Sequence, residues 1–309
     1  MSILAINDLL KLLPQRFPFL MIDRVELSED ATTATAIKNV TTNESQFMGH
    51  FPNNPIMPGV LQLEAMVQTA TIAFNRITGC TDTVVLRKVS KMRFKTPMLP
   101  GDQAIIEITI TENDEQNATV KATAKVRGKV CSQSNFVIGK LKDEELVPKT
   151  FTSEYQTELY ADTDELVYNT NDIAGYIPHR YPFHFIDNVR YKTDYMIIGE
   201  KLVSVNEPFS KGFNKDQVFM PNAMILETAA QLGCVFMLSK PENSDKIALF
   251  LSIEKADITR PAIPGDKLTF TSEVLFAKGP MGKCHSQVFC GEELIADMVV
   301  AFALVPKEA

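Results

Sequence analysis

Two glutamates and one histidine are the residues of this chain best suited to acid–base chemistry. Glu64 and Glu227 each stand six residues after the proline that opens a long apolar run, GVLQLEAMVQTATIAFNRITG after Pro58 and NAMILETAAQLG after Pro221. A carboxylate among Leu, Met, Ile and Ala is costly to ionise, and burial raises its pKa, so such a group can hold a proton and deliver it as a general acid. The bland alternative is a glutamate that reaches water at a helix end. His50 lies between Gly49 and the proline-rich loop FPNNPIMP. Imidazole, with an unperturbed pKa of about 6.5, is the usual base near neutral pH. A helix expected from Gly59 begins nine residues after His50, and helix N-terminal amides can stabilise a developing oxyanion. Base, acid and oxyanion donors together suit removal of a proton next to a carbonyl with loss of a neighbouring hydroxyl.

The elements that must position these groups occur twice. GHFPNNPIMPGVLQLEAMVQTA, from Gly49 to Ala70, matches GFNKDQVFMPNAMILETAAQLG, from Gly212 to Gly233, at an offset of 163. Glu64 and Glu227 stay in register, whereas His50 faces Phe213. Asn7 to Val25 and Asn171 to Val189 share nine identities in 19 positions, and Pro100-Gly101-Asp102 recurs as Pro264-Gly265-Asp266. Each unit is expected to begin with a short helix ending at Pro14 or Pro178, because proline disfavours helix at the residue before it. A strand through Phe19 to Val25 follows. The run from Pro58 to Gly79 is apolar on nearly every face, as a fully buried helix is. Ala104 to Thr111, Ala118 to Lys125, Leu268 to Leu275 and Cys284 to Cys290 alternate with period 2, which predicts antiparallel strands. The expected architecture is α+β: residues 1–146 and 169–309 each wrap an antiparallel sheet around a central helix. A linker at 147–168, in an acidic and aperiodic stretch, lets the two pack as an internal pseudo-dimer.

Composition bounds the remaining possibilities. At 309 residues, 45 % hydrophobic and 22 % charged, the chain has the balance of a soluble globular protein. Its net charge of −7 argues against a general nucleic-acid binder, which needs an excess of Lys and Arg. MSILAINDLLKLLPQRFPF carries charges within its apolar stretch and reads as an amphipathic helix rather than a signal peptide, and no membrane span is expected. Five cysteines, odd in number and without zinc or redox spacing, fit a reducing cytoplasm. Cys284, His285 and Cys290 lack a fourth ligand at metal spacing, so no metal is expected there.

LPQRFPFLMIDR, then GHFPNNPIMPGVLQLEAM, then FKTPMLPGDQ closely resemble the β-hydroxyacyl-(acyl carrier protein) dehydratases of the FabZ type, which have the hotdog fold. A weaker copy, IPHRYPFHFID, GFNKDQVFMPNAMILETA and ITRPAIPGDK, makes the whole chain similar to a tandem, double-hotdog member. The resemblance implies a site shared between units, so His50 pairs with Glu227, while Glu64 facing Phe213 is vestigial. It also implies an oxyanion amide from the unit that supplies the acid, Asn222 or Ala223, where the first unit keeps Gly59. His179 and His184 fall in a motif the family uses structurally. The implied reaction is dehydration of a (3R)-hydroxyacyl thioester on acyl carrier protein to the trans-2-enoyl product, with no metal or redox cofactor. Assembly of three tandem chains is implied by the trimers of dimers that single-unit relatives form.

RKVSKMRFK, Arg87 to Lys95, holds five cations and no acid. On a regular strand Arg87, Lys91, Arg93 and Lys95 share one face, which with Lys88 is expected to dock the acidic carrier protein; the alternative is a solvated strand face. At an offset of 164 only Lys255 keeps a cation. Two other readings compete: an acyl thioesterase, and a non-catalytic module that binds acyl groups or the carrier protein.

Overall fold

The computed structural model describes residues 2–148, 166–210 and 217–307. Its strands join into one antiparallel sheet of 13 strands whose order repeats in reverse about its middle. On one side lie β2 (Arg24–Leu27), β3 (Thr33–Asn39), β5 (Gln103–Asn113), β6 (Asn117–Val126), β7 (Lys129–Lys140) and β4 (Val84–Phe94). β10 (Lys246–Ile258), β13 (Glu293–Pro306), β12 (Met281–Cys290), β11 (Lys267–Lys278), β9 (Met196–Leu202) and β8 (Asn188–Lys192) follow on the other. β1 (Ser2–Leu4) pairs with the β2 edge, Leu4 opposite Val25, and on the β8 edge Tyr168 opposite Val189 repeats that pairing as a single bridge.

The halves meet where β4 pairs with β10, with Arg93 opposite Ser252 and Lys88 opposite Asp257. Ser252 and Asp257 are the 164-offset counterparts of Lys88 and Arg93, so a pseudo-twofold axis passes through this seam. Each half curls its sheet around one helix, α2 (Gly59–Thr78) and α4 (Asn222–Leu238). Val60 through Asn75 of α2 are all buried, which explains its all-round apolar sequence. Gly79 ends α2 at φ +67°, a left-handed conformation that glycine adopts without steric cost.

The starting helices α1 (Ile6–Leu12) and α3 (Thr170–Tyr176) stop before Pro14 and Pro178, as the sequence predicts. Two local expectations change. The first residues form the edge strand β1 instead of extending α1, and Phe19 to Ile22 is not a strand. There the helix takes the backbone groups: Gln68 Nε2 donates to the Phe19 carbonyl at 2.8 Å, and Gln68 Oε1 accepts the Met21 N–H at 2.8 Å. Gln231 of α4 repeats the clamp on Phe183 and Phe185 at 3.0 Å each. Most of the 147–168 linker lies outside the described residues. No described helix is long and apolar enough to cross a membrane.

Candidate active site

His50 stands on a loop built against the other half of the chain. The Gly49 carbonyl accepts the Arg180 N–H at 3.1 Å, and any β-carbon at Gly49 would overlap the Arg180 backbone. That contact brings the PHRYPF segment of the second half under the histidine. His50 Nδ1 lies 2.7 Å from the Ile56 carbonyl oxygen. A carbonyl only accepts, so Nδ1 carries the hydrogen and Nε2 keeps its lone pair. Phe51 stacks on the ring at a centroid distance of 4.1 Å, and Phe183 meets it edge-on at 5.3 Å. Burial pushes the His50 pKa down to about 4, which leaves the ring unprotonated at neutral pH.

Glu227 projects from α4 and is 5 % exposed. Burial raises its pKa to about 7, against a smaller opposing effect from Gln231, whose Nε2 donates to Oε1 at 2.9 Å. His179 Nε2 lies 3.6 Å from the same oxygen. A nitrogen of His50, a nitrogen of His179 and an oxygen of Glu227 all lie within 4.8 Å of one another. All three residues line a cavity of about 360 Å³ between the halves, whose lining also includes Gly59, Gln62, Phe94 and Phe250. Phe94 and Phe250 pack across the β4–β10 seam, ring centroids 5.1 Å apart.

The structure therefore brings His50 and Glu227 together from opposite halves and keeps Glu64 apart. Glu64 is buried elsewhere, does not line this cavity, and accepts from Gln15 at 3.3 Å and Gln68 at 2.9 Å; burial pushes its pKa to about 8. Phe213 lies outside the described residues. The helix start in the cavity is that of α2, at Gly59, which corrects the expectation of Asn222 or Ala223. The reason is chain connectivity: the His50 loop runs straight into α2, so His50 and the helix amides travel together, while Glu227 crosses from α4. Asn222 instead turns away, its Nδ2 donating to the Leu86 carbonyl at 2.7 Å across the seam. A β-carbon at Gly59 would come 2.5 Å from the Phe94 ring, so a larger residue there would push that ring aside. The first amides of α2 have no acceptor within the helix and are available to a ligand oxygen.

His179 is the site residue that sequence reasoning missed, having assigned it a structural part. A signal was present: Gln15 and His179 differ at matched positions of an otherwise well-kept motif. In each half this residue faces the glutamate of the central helix, as an amide in one and an imidazole in the other. His184 does not line the cavity. His285 is engaged with Asp297 at 2.8 Å, and Cys284 is buried in the core.

The cationic strand departs from simple alternation. Bulges between Leu86 and Lys88 and between Val89 and Lys91 rotate Arg87 out of the outer row and bring Lys88 into it. Arg87 makes two bonds to the Glu145 carboxylate, at 2.6 and 2.8 Å, and a third to the Lys140 carbonyl. Lys88 faces Asp257 at 3.2 Å and Lys91 faces Glu254 at 3.9 Å, both carboxylates coming from the second half. Lys91 and Arg93 line a polar depression beside Lys121, and Lys95 reaches the reactive cavity.

Residues 13–135 and 177–299 each match the family described as FabA-like domain. The chain is 39 % identical over 135 residues to the 3-hydroxyacyl-(acyl-carrier-protein) dehydratase FabZ of Aromatoleum aromaticum, spanning 42 % of this chain and 93 % of that protein. It is 41 % identical over 143 residues to the Escherichia coli O9:H4 enzyme of the same name, spanning 45 % of this chain and 95 % of the other. Both relatives thus match a stretch the size of one half. Among solved structures, the dehydratase domain of PpsC from Mycobacterium tuberculosis, in complex with C12:1-CoA, superposes with a TM-score of 0.63 at 11 % identity. That match covers 94 % of this chain and all of the other. The dehydratase domain from the CurJ module of curacin polyketide synthase gives 0.62 at 11 % identity, over 93 % and 96 %. At such identity the likeness speaks for the fold, and its coverage spans both halves.

Proposed function

We propose a reaction for this chain from a fixed premise: it belongs to the FabA-like family, as a tandem hotdog dehydratase of the FabZ type. It is a hydro-lyase that converts a 3-hydroxyacyl thioester on acyl carrier protein to the 2-enoyl thioester. One composite site per chain carries the reaction, between units at 1–146 and 169–309 joined through 147–168. His50 Nε2 removes the C2 proton. Glu227 gives its proton to the C3 hydroxyl, which leaves as water, and the thioester oxygen accepts helix amides at Gly59. His50 ends protonated and Glu227 ionised, so one proton transfer between them resets the site. The observation that carries this reading is the convergence of His50 and Glu227, from opposite halves, in one cavity.

The test is a thioester assay followed by ultraviolet absorbance of the conjugated product, run across pH. Reversible hydration is expected, and release of free thiol instead would indicate a thioesterase. Neither reaction would indicate a binding module. The base must be unprotonated and the acid protonated, so kcat/KM should rise as pH climbs through about 4 and fall as it passes about 7. A flat profile between pH 5 and 9 would contradict the pairing of roles.

The outer cations support docking of the acidic carrier protein. Exposed ion pairs such as Lys88–Asp257 contribute about 0–1 kcal/mol, so an acidic partner can displace the internal carboxylate cheaply. Arg87, bidentate and largely buried, is left out of that surface. Lys91→Glu with Arg93→Glu is expected to raise KM for the carrier-borne substrate by about tenfold, roughly 1.4 kcal/mol, and to leave turnover of a small-thiol thioester unchanged. Equal KM values for the double variant and the parent would exclude this docking face. A cytoplasmic setting and the association of three chains belong to the same reading, and light scattering measures the latter.

A further inference from the structure

His179 has no step in that dehydration, yet it is buried in the reactive cavity. Its Nε2 points at Glu227 and its Nδ1 has no hydrogen-bond partner. Packing alone does not call for an imidazole: at the matched position of the first half, Gln15 meets Glu64 with an amide. We propose that His50, His179 and Glu227 form a binding site for one divalent transition metal ion per chain, zinc above all, and that the bound ion shuts off dehydration.

Two imidazoles and a carboxylate are a donor set that zinc takes with a fourth position left to water, and nitrogen donors favour it over magnesium or calcium. The His50 ring is already oriented for it. Its Nδ1–H is anchored on the Ile56 carbonyl, the outer contact metal-bound histidines generally make, which turns the Nε2 lone pair into the cavity. His179 offers Nε2 when its hydrogen moves to Nδ1. The three donor atoms span up to 4.8 Å, whereas bonds of about 2.0–2.1 Å at tetrahedral angles place donors about 3.3–3.5 Å apart. His179 Nε2 and the Glu227 oxygen, 3.6 Å apart, are already near that spacing, and side-chain shifts of about an ångström bring the three donors to it. The first half offers Gln15 beside Glu64, with no imidazole at that carboxylate, so the expected stoichiometry is one ion rather than two.

Inhibition follows because the ion takes the His50 lone pair that removes the C2 proton and displaces the proton that Glu227 delivers. That clause rests on the proposed reaction; binding does not.

The experiment uses the full chain, stripped with a chelator, titrated calorimetrically with zinc chloride and spectroscopically with cobalt chloride. One ion per chain is expected, with cobalt d–d bands and no near-ultraviolet thiolate band. His179→Gln, which copies the residue the first half already accommodates, should weaken binding at least about tenfold, with an unchanged melting temperature as its folding control. His50→Ala should do the same. Undiminished affinity in His179→Gln, a thiolate band from the cysteines, or no binding would each overturn the site. Zinc bound at one per chain with full turnover would overturn the shut-off. A chain that binds zinc as expected but dehydrates no thioester would sink the proposed reaction and support the metal site.

Discussion

Replacing His50 with alanine is expected to lower kcat/KM for dehydration by about 10²–10⁴-fold, the range a positioned general base contributes. The residue is suited to the task by three features: a lone pair fixed on Nε2 by the Ile56 carbonyl, a pKa near 4, and a place within 4.8 Å of the Glu227 carboxylate. His179 is not expected to substitute for it, because its Nε2 is turned to the Glu227 carboxylate, 3.6 Å away. Loss of activity through misfolding is separated by His50→Asn. Its side-chain amide can still donate to Ile56 but carries no basic lone pair, so it should be as inactive as alanine with a native melting curve. Added imidazole should restore part of the alanine variant's turnover, since the cavity then has room for the missing ring. Near-normal turnover in either variant would remove His50 from the mechanism.

Much of this molecule was legible before its structure. Period-2 alternation located the long strands because each has one face on a central helix and one toward solvent, and the all-round apolar run marked a helix buried on every side. The repeat carried the pairing of halves, and the family resemblance implied the crossing of His50 to Glu227, whose side chains line one cavity. What failed depends on contacts between distant segments. Phe19 to Ile22 has strand-like residues, but Gln68 of α2 takes its backbone groups before a neighbouring strand can. Arg87 leaves the basic face because two bulges break the alternation and Glu145 captures the guanidinium. Asn222 was expected at the oxyanion position, whereas chain connectivity puts Gly59 beside His50. His179 was missed because nothing local in PHRYPF says that the segment passes under the His50 loop of the other half.

Glu227→Gln is expected to cost about 10²–10⁴-fold in kcat/KM, since a carboxamide holds the shape of the acid and lacks its proton. The substitution is structurally mild. The new side-chain oxygen can still accept from Gln231, and a buried group that is costly to ionise is replaced by one that never ionises. Its high-pH limb should vanish with the acid: whatever rate remains should no longer fall as pH passes about 7. Glu64→Gln makes the same chemical change in a residue that is equally buried, more strongly raised in pKa at about 8, and held by Gln15 and Gln68 outside the cavity. Indirect effects through the core are expected to stay below about 1.4 kcal/mol, or a factor of ten. The decisive measurement is therefore kcat/KM of Glu227→Gln and Glu64→Gln side by side, on one carrier-borne hydroxyacyl substrate. A site shared between the halves predicts collapse in the first and a near-parent rate in the second; collapse in Glu64→Gln with activity kept in Glu227→Gln would contradict it.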